Sequence, residues 1–351
     1  MNRLVFVVVG LLAVSVFSSC EVEFSPNDQW RETPVVYCLL DQDEDTSYVR
    51  VQRCFLGEGN QYVYAAEPDS LYYPQGSIAV FVEEWDCWTD RNGVTHRSGS
   101  APRRVFNFDY RLMSDKDTGV FFNAFQPVYA CHTGGMLDTN RLYRLRVVKT
   151  ATGDTIASSE TRLIRGNMTL THPNNVTLFQ FAGTSGSKTC LFAWSSLREA
   201  RQYQPIVRFW YRDFTIDYNT WPWDTIISRH YIDIPCNVVK SNMRDPSLNT
   251  RLDQNYFLSV IRSALEHDSC NRNIIDTVDI FITCCSEPLA AYIYAGNPAG
   301  SLNQDPFTYS NIDGGLGVFA ARRRHIVFRV GTPVSAVSNY VKSLKELGVG
   351  F

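Results

Sequence analysis

Two short charged runs are the places where this chain is best equipped to do chemistry. Asp41-Gln42-Asp43-Glu44-Asp45 alternates carboxylates, the hard oxygen donors that calcium prefers. A calcium loop opening at Asp41 needs glycine in its sixth place and glutamate in its last. Thr46 and Gln52 stand there, so the expected form is a solvated hairpin tip. Arg322-Arg323-Arg324, beside His325, suits phosphates or an acidic partner, yet three charges running into a strand are the ordinary mark of a wet edge. The six histidines are scattered, with no His-Glu-x-x-His spacing for a helical zinc site. Ten cysteines include no Cys-x-x-Cys pair, which counts against zinc-ribbon and thioredoxin-like chemistry. Gly183-Thr184-Ser185-Gly186 lacks the Gly-x-Ser-x-Gly spacing of a nucleophile elbow and reads as a polar loop. Paired glycosidase carboxylates leave no local signature, so that class stays open. The expectation is a chain with no catalytic residue, no metal and no cofactor.

Aromatic residues offer the better binding hint. Trp221-Pro222-Trp223 follows a polar stretch, and Tyr72-Tyr73-Pro74 sits beside Gly76. Rings with a polar edge are favoured at interfaces and can stack on sugar faces, so Trp221, Trp223, Tyr72 and Tyr73 are the candidate binding residues. Lys and Arg number 33 against 36 Asp and Glu, a balance without the basic surface that nucleic acid requires. Hydrophobic residues at 44% supply a packed core, and 351 residues suggest two domains.

The elements that would position these groups are mostly strands. Val35 to Leu40 and Tyr48 to Cys54 flank the acidic run as a hairpin, followed by Ser77 to Val82 and by Tyr143 to Val148, where Leu145 and Val147 alternate with Arg144 and Arg146. Thr152-Gly153-Asp154 is a turn into a closing strand, Thr155 to Ile164. Residues 34–165 therefore read as a β-sandwich of immunoglobulin-like size. Polar residues from Gly166 to Asn175 mark the boundary. Beyond it, Thr177 to Phe181, Leu191 to Trp194, Ile206 to Tyr211, Ile226 to Ile234, Val278 to Cys284 and His325 to Val330 are strand-like. Three helices join them: one with Phe257, Val260, Ile261, Ala264 and Leu265 on one face, one opened by Ser286-Glu287-Pro288, and one opened by Thr332-Pro333. Residues 166–351 thus read as an α+β domain with antiparallel sheet, and the whole chain as mainly β.

The first twenty residues carry an address. Arg3, the apolar run Leu4 to Phe17 and Ser18-Ser19 form a signal peptide, 1–19, too short to span a membrane. Ser18-Ser19-Cys20 resembles a bacterial lipobox, in which Cys20 is lipidated and becomes the mature N-terminus, with 20–33 as its tether. Glu21 and Glu23 behind it resemble the export signal of Bacteroidota lipoproteins on the outer face of the outer membrane. Of the nine other cysteines, some are expected in disulfides, since the exported compartment is oxidising. Adjacent Cys284 and Cys285 in a strand must point to opposite faces.

One segment carries a wider resemblance. Asp305-Pro306-Phe307-Thr308-Tyr309-Ser310-Asn311-Ile312-Asp313-Gly314-Gly315-Leu316-Gly317-Val318-Phe319 resembles the Ser-Asn-Ile-x-Gly-Gly-Leu-Gly-x-Phe motif near the C-terminus of a Bacteroidota outer-membrane lipoprotein family of unassigned function. Ser286 to Tyr294 is similar to that family's short aromatic helix. In physical terms Gly314, Gly315 and Gly317 allow close backbone approach and Asn311 can bond its own turn, so the motif reads as a structural clamp. The resemblance implies a partner of TonB-dependent outer-membrane receptors: a lipid-anchored surface protein that captures a ligand or caps a β-barrel, together with other surface lipoproteins. Two alternatives stand beside it, a structural subunit of a secretion or barrel-assembly complex, and a glycan-binding or glycan-processing surface protein. Asp69-Ser70-Leu71, Asp154-Thr155-Ile156, Asp224-Thr225-Ile226 and Asp276-Thr277-Val278 resemble Bacteroidota O-glycosylation tripeptides.

Overall fold

The computed structural model describes residues 32–55, 60–114, 121–122, 124–184, 187–217, 219, 221–222, 224–242, 245–265, 271–296, 309–324, 327–349 and 351. The leader, Cys20, residues 21–31 of the tether, Trp223, Cys270, His325 and 305–308 lie outside them.

The acidic hairpin forms where alternation placed it, as β1 (Pro34–Leu40) and β2 (Thr46–Arg53) in antiparallel register. Two short helices follow, α1 (Gln61–Ala66) and α2 (Pro68–Leu71). Next come β3 (Ile78–Thr89), β4 (Thr95–Ser98), β5 (Arg104–Met113), β6 (Gln126–His132), β7 (Leu142–Lys149) and β8 (Thr155–Arg162). Leu145 and Val147 of β7 are fully buried while Arg144 and Arg146 stay half-exposed, the one-sided pattern of an antiparallel strand. The first half of β5 pairs with β3 and its second half with β6.

The second half contains β9 (Leu170–His172), β10 (Ala182–Thr184), β11 (Ser187–Ser195), β12 (Ala200–Asp217), β13 (Asp224–Pro235), β14 (Val239–Lys240), β15 (Ser247–Asp253), helix α3 (Gln254–Leu265), β16 (Asn271–Ser286), helix α4 (Glu287–Ala295), β17 (Leu316–Arg323), β18 (Val327–Gly331) and helix α5 (Val334–Glu346). The expected strand at Thr177 to Phe181 is absent. Asn174 instead accepts the Val176 and Thr177 N–H groups, and the turn it makes drops Phe179, fully buried, into the core. There Phe179, Phe181, Phe257 of α3 and Tyr340 of α5 pack ring on ring at 5.1–5.8 Å. Phe257, Ile261 and Leu265, on the face read from the sequence, seat α3, and Tyr340 and Leu344 seat α5.

The molecule is mainly β, with few helices, and most strand pairs are antiparallel. One large sheet runs β13-β12-β16-β17-β1-β2-β6-β5-β3-β7-β8, and a smaller one joins β9, β10, β11 and β15. Its centre departs from the antiparallel rule, because β1 and β17 are parallel, with Val35 beside Leu316 and Leu40 beside Ala321. Antiparallel pairing is read from local hairpins. A parallel neighbour about 280 positions away leaves no local trace.

Eight cysteines fall among the described residues, and no disulfide joins any two of them. The expected disulfides are therefore not found there. Cys284 and Cys285 do face opposite ways. Cys284 joins the main core, and Cys285 joins a small second one with Leu289 of α4, Val318 and Ala320.

Candidate interaction surface

The glycine motif is built into the fold as a seam between β17, β1 and β8. Asn311 lies alongside β17: its amide accepts the Phe319 N–H at 3.0 Å and donates to the Phe319 carbonyl at 2.8 Å. Ser159 Oγ donates to the Asn311 carbonyl at 2.6 Å, and Ser158 and Asp313 exchange both backbone hydrogen bonds. A side chain thus does the work of a strand, and β8, at the end of the sheet, has its outer backbone covered at Ser158. The glycines are where this seam is tightest. A Cβ on Gly314 would lie 2.6 Å from the Ile156 carbonyl oxygen, and one on Gly315 would lie 2.6 Å from that of Pro34. At Gly317, φ is +113° and a Cβ would overlap the Val36 carbonyl, 2.9 Å from its carbon. A polar cleft of about 260 Å³ opens on this seam between Arg97, Arg144, Glu160 and Asp313. Arg97 is bound to Glu160 at 2.6 Å across it, so its charges already answer each other.

The two charged runs turn out to be each other's partners. Parallel pairing brings the ends of β1 and β17 together, so the acidic residues after Leu40 meet the arginines after Ala321. Arg323 grips Asp43 with two bonds of 2.8 and 3.1 Å and donates to the Gly166 carbonyl, while Arg324 pairs with Glu44. Asp41 is 2% exposed and accepts the N–H groups of Asp43 and Arg324. Burial raises its carboxyl above the ordinary carboxylate range. The acidic run is a hairpin tip with Asp43 and Asp45 exposed, as expected. Asp41 is buried, however, and Arg323 and Arg324 are paired with Asp43 and Glu44, so neither run faces water alone: the partner of each lies far along the chain.

Tyr72 and Tyr73 are also corrected as binding residues. They are 5% and 6% exposed, tucked behind the α2 turn against β2, and offer no ring to a ligand. Trp221 is the opposite case, 87% exposed at the tip of the β12–β13 hairpin. Beyond Phe214, where β16 stops pairing with β12, the hairpin projects on its own among the described residues. It displays Ile216, Ile226 and Ile227 there, each about half-exposed. Trp223, at the same turn, is outside the described residues.

Below the tip, the outer face of this hairpin holds a group that composition alone did not reveal. Arg208, Trp210 and Arg212 of β12 stand opposite Asp233, Tyr231 and Arg229 of β13. Arg208 makes two bonds to Asp233, at 2.7 and 2.8 Å, and its guanidinium lies 3.8 Å from the Tyr231 ring centre and 4.5 Å from that of Phe281. Arg229 covers the Trp210 ring at 4.0 Å, and Trp210 donates to Asp279, which Arg329 also holds. The Arg329 guanidinium keeps the Asp279 carboxyl below its ordinary range, against the opposing effect of burial. Period-2 alternation in Arg-Phe-Trp-Tyr-Arg and Arg-His-Tyr-Ile-Asp was the available signal for this face.

Other chemistry is damped by burial. The Cys190, Cys236 and Cys284 thiols are each pushed up to about 12, and that of Cys285 to about 11, so they stay protonated and weakly nucleophilic at neutral pH. No group of three His, Cys, Asp or Glu side chains among the described residues is arranged to hold a metal ion. Thr155 and Thr225 of the O-glycosylation-like tripeptides are exposed, and Ser70 and Thr277 are half-buried. Compared with protein-family models and with curated proteins, the chain matches none.

Proposed function

We propose that this chain is a non-catalytic, lipid-anchored protein of the outer-membrane surface that docks on a β-barrel of the TonB-dependent-receptor type and takes part in ligand capture. The observation that carries the reading is the projecting β12–β13 tip, where Trp221, Ile216, Ile226 and Ile227 are held in water. Exposed apolar groups clustered on a rigid hairpin are what a docking element needs and what an unpartnered protein avoids. Support also comes from the lipobox-like Ser18-Ser19-Cys20 and from the Asn311 to Phe319 motif. In this reading, 34–165 serves as an immunoglobulin-like module; the antiparallel pairing of β1 to β8 among themselves supports that.

The test is purification of the tagged full chain from its native membranes in mild detergent. A β-barrel protein is expected to accompany the wild type and to be lost from a Trp221→Ala/Ile227→Ser variant. Recovery of the chain alone from wild-type membranes refutes the reading. A second reading, glycan binding, is favoured by the exposure of Trp221. It predicts a glycan-array signal that Trp221→Ala abolishes, and a silent array for the wild type ends it.

A further inference from the structure

The large sheet has two ends, and they are finished differently. At β8 the outer backbone is engaged by Asp313. At the other end β13, twelve residues long, pairs only with β12 among the described residues. Cys236 donates its N–H to the Pro205 carbonyl, so its backbone faces inward toward β12. By the alternation of a strand, Pro235, Asp233, Tyr231, Arg229 and Ile227 turn their backbone groups outward. Natural proteins cover, shorten or charge such an edge, because its free N–H and C=O groups are a template for another strand. This one is long, and its outward residues carry their side chains on the aromatic, arginine-rich face.

The charge on that face is left incomplete. Arg212 and Arg229 stand directly opposite each other across the β12–β13 pair. Neither has an ion pair with a carboxylate among the described residues. Like charges placed so are unfavourable; Asp279 acts on Arg229 from within the sheet, and a second carboxylate beside the pair would offset the repulsion further. The same edge contains one. A second β13 running antiparallel, with Tyr231 opposite its own copy, sets Arg229 opposite Asp233 of the other chain, twice over by symmetry. Centring on Arg229 would instead oppose two arginines, so charge favours the Tyr231 register over that one, and it is the register that sets Arg229 against Asp233. Tyr231, half-exposed, then meets its twin at the axis.

We propose that two copies of this chain associate through β13, antiparallel and centred on Tyr231, which extends the large sheet across a two-fold axis. The contact is isologous: Arg229 of each copy meets Asp233 of the other, and the outward backbone groups of Arg229, Tyr231 and Asp233 complete the ladder. The hairpin tips point away from the axis in opposite directions. The inference is independent of the docking reading.

Sedimentation equilibrium of the full chain in detergent tests it with charge reversals. Arg229→Asp alone sets two carboxylates against each other, and Asp233→Arg alone sets two arginines. Each variant is expected to dimerise at least about tenfold more weakly than the wild type. An equimolar mixture of the two restores opposite charges at both contacts and is expected to regain the wild-type dimer, which also shows that both variants are folded. A wild type monomeric at about 100 µM, single variants that dimerise as the wild type does, or a mixture that stays monomeric each overturns the proposal. Loss of dimer with a copurifying barrel retained would separate the two readings.

Discussion

Replacing Gly317 by alanine isolates what holds the centre of the sheet together. Two costs meet at this residue. Its φ of +113° is one that an L side chain adopts only with strain, worth about 1–2 kcal/mol. Its added Cβ would also run into the carbonyl of fully buried Val36, a backbone group that cannot rotate away as a side chain would. Prising β1 from β17 costs about 1–3 kcal/mol more, the range for overpacked cores. The expected loss is therefore about 4 kcal/mol, which at about 2 °C per kcal/mol for a chain of this size lowers the melting temperature by roughly 8 °C. Two companions separate the causes. Gly93→Ala has φ +85° and open space around it, so it bears the conformational cost alone. Gly315→Ala has an ordinary φ but places a Cβ 2.6 Å from the Pro34 carbonyl oxygen, so it bears the contact cost alone. Differential scanning of the three variants should rank Gly317→Ala as the most damaging, near the sum of the other two. If Gly317→Ala melts within about 2 °C of Gly93→Ala, the seam does not depend on close approach, and the reasoning fails.

Further outcomes follow from the same contacts. Asn311→Ala orphans the N–H and carbonyl of fully buried Phe319 and should cost about 2–4 kcal/mol by chemical denaturation; Asn311→Asp should do no better, since it turns a carboxylate toward that carbonyl. Asp279 has its pKa lowered on folding, so its pairing with Arg329 stabilises the fold above the unfolded value of about 4 and is lost as pH falls through the folded one. Melting temperatures from pH 7 to pH 2 should therefore fall less steeply for Asp279→Asn than for the wild type. A double-mutant cycle on Arg323→Ala and Asp43→Ala should return a coupling of about 1 kcal/mol that shrinks in 1 M salt. Coupling indistinguishable from zero would mean that the acidic and basic runs are merely neighbours.

Local pattern was readable wherever its cause was local. The β1–β2 hairpin, the alternation around Leu145 and the helix starts at Glu287 and Val334 all follow from spacing within a dozen residues. Phe179 shows the first limit, since an apolar run with strand spacing was claimed by the side chain of Asn174 and the aromatic core. The acidic and arginine runs show the second. Each was judged alone, and only the parallel pairing of β1 with β17 puts Asp43 within reach of Arg323. Candidate surface residues divided the same way: Trp221, in a loop longer than its neighbours could cover, stayed exposed, whereas Tyr72 and Tyr73 were covered by the fold-back of α2. Arg229 and Trp210 carry no signal of their own in the sequence, since neither is unusual alone and their meaning lies in the register of β12 with β13.

The parallel pair at the sheet's centre also sets a clock for synthesis. Val35 meets its neighbour Leu316 only after about 280 further residues have been added, which at about 5–20 residues per second takes roughly 15–60 s. Throughout that interval one side of β1 has no partner strand to pair with. A chain that stops short of Phe319 keeps that side open permanently and is exposed to wrong pairing and to proteolysis. Integrity of the far end is thus checked by the near one, and only a chain translated through β17 can bury its first strand.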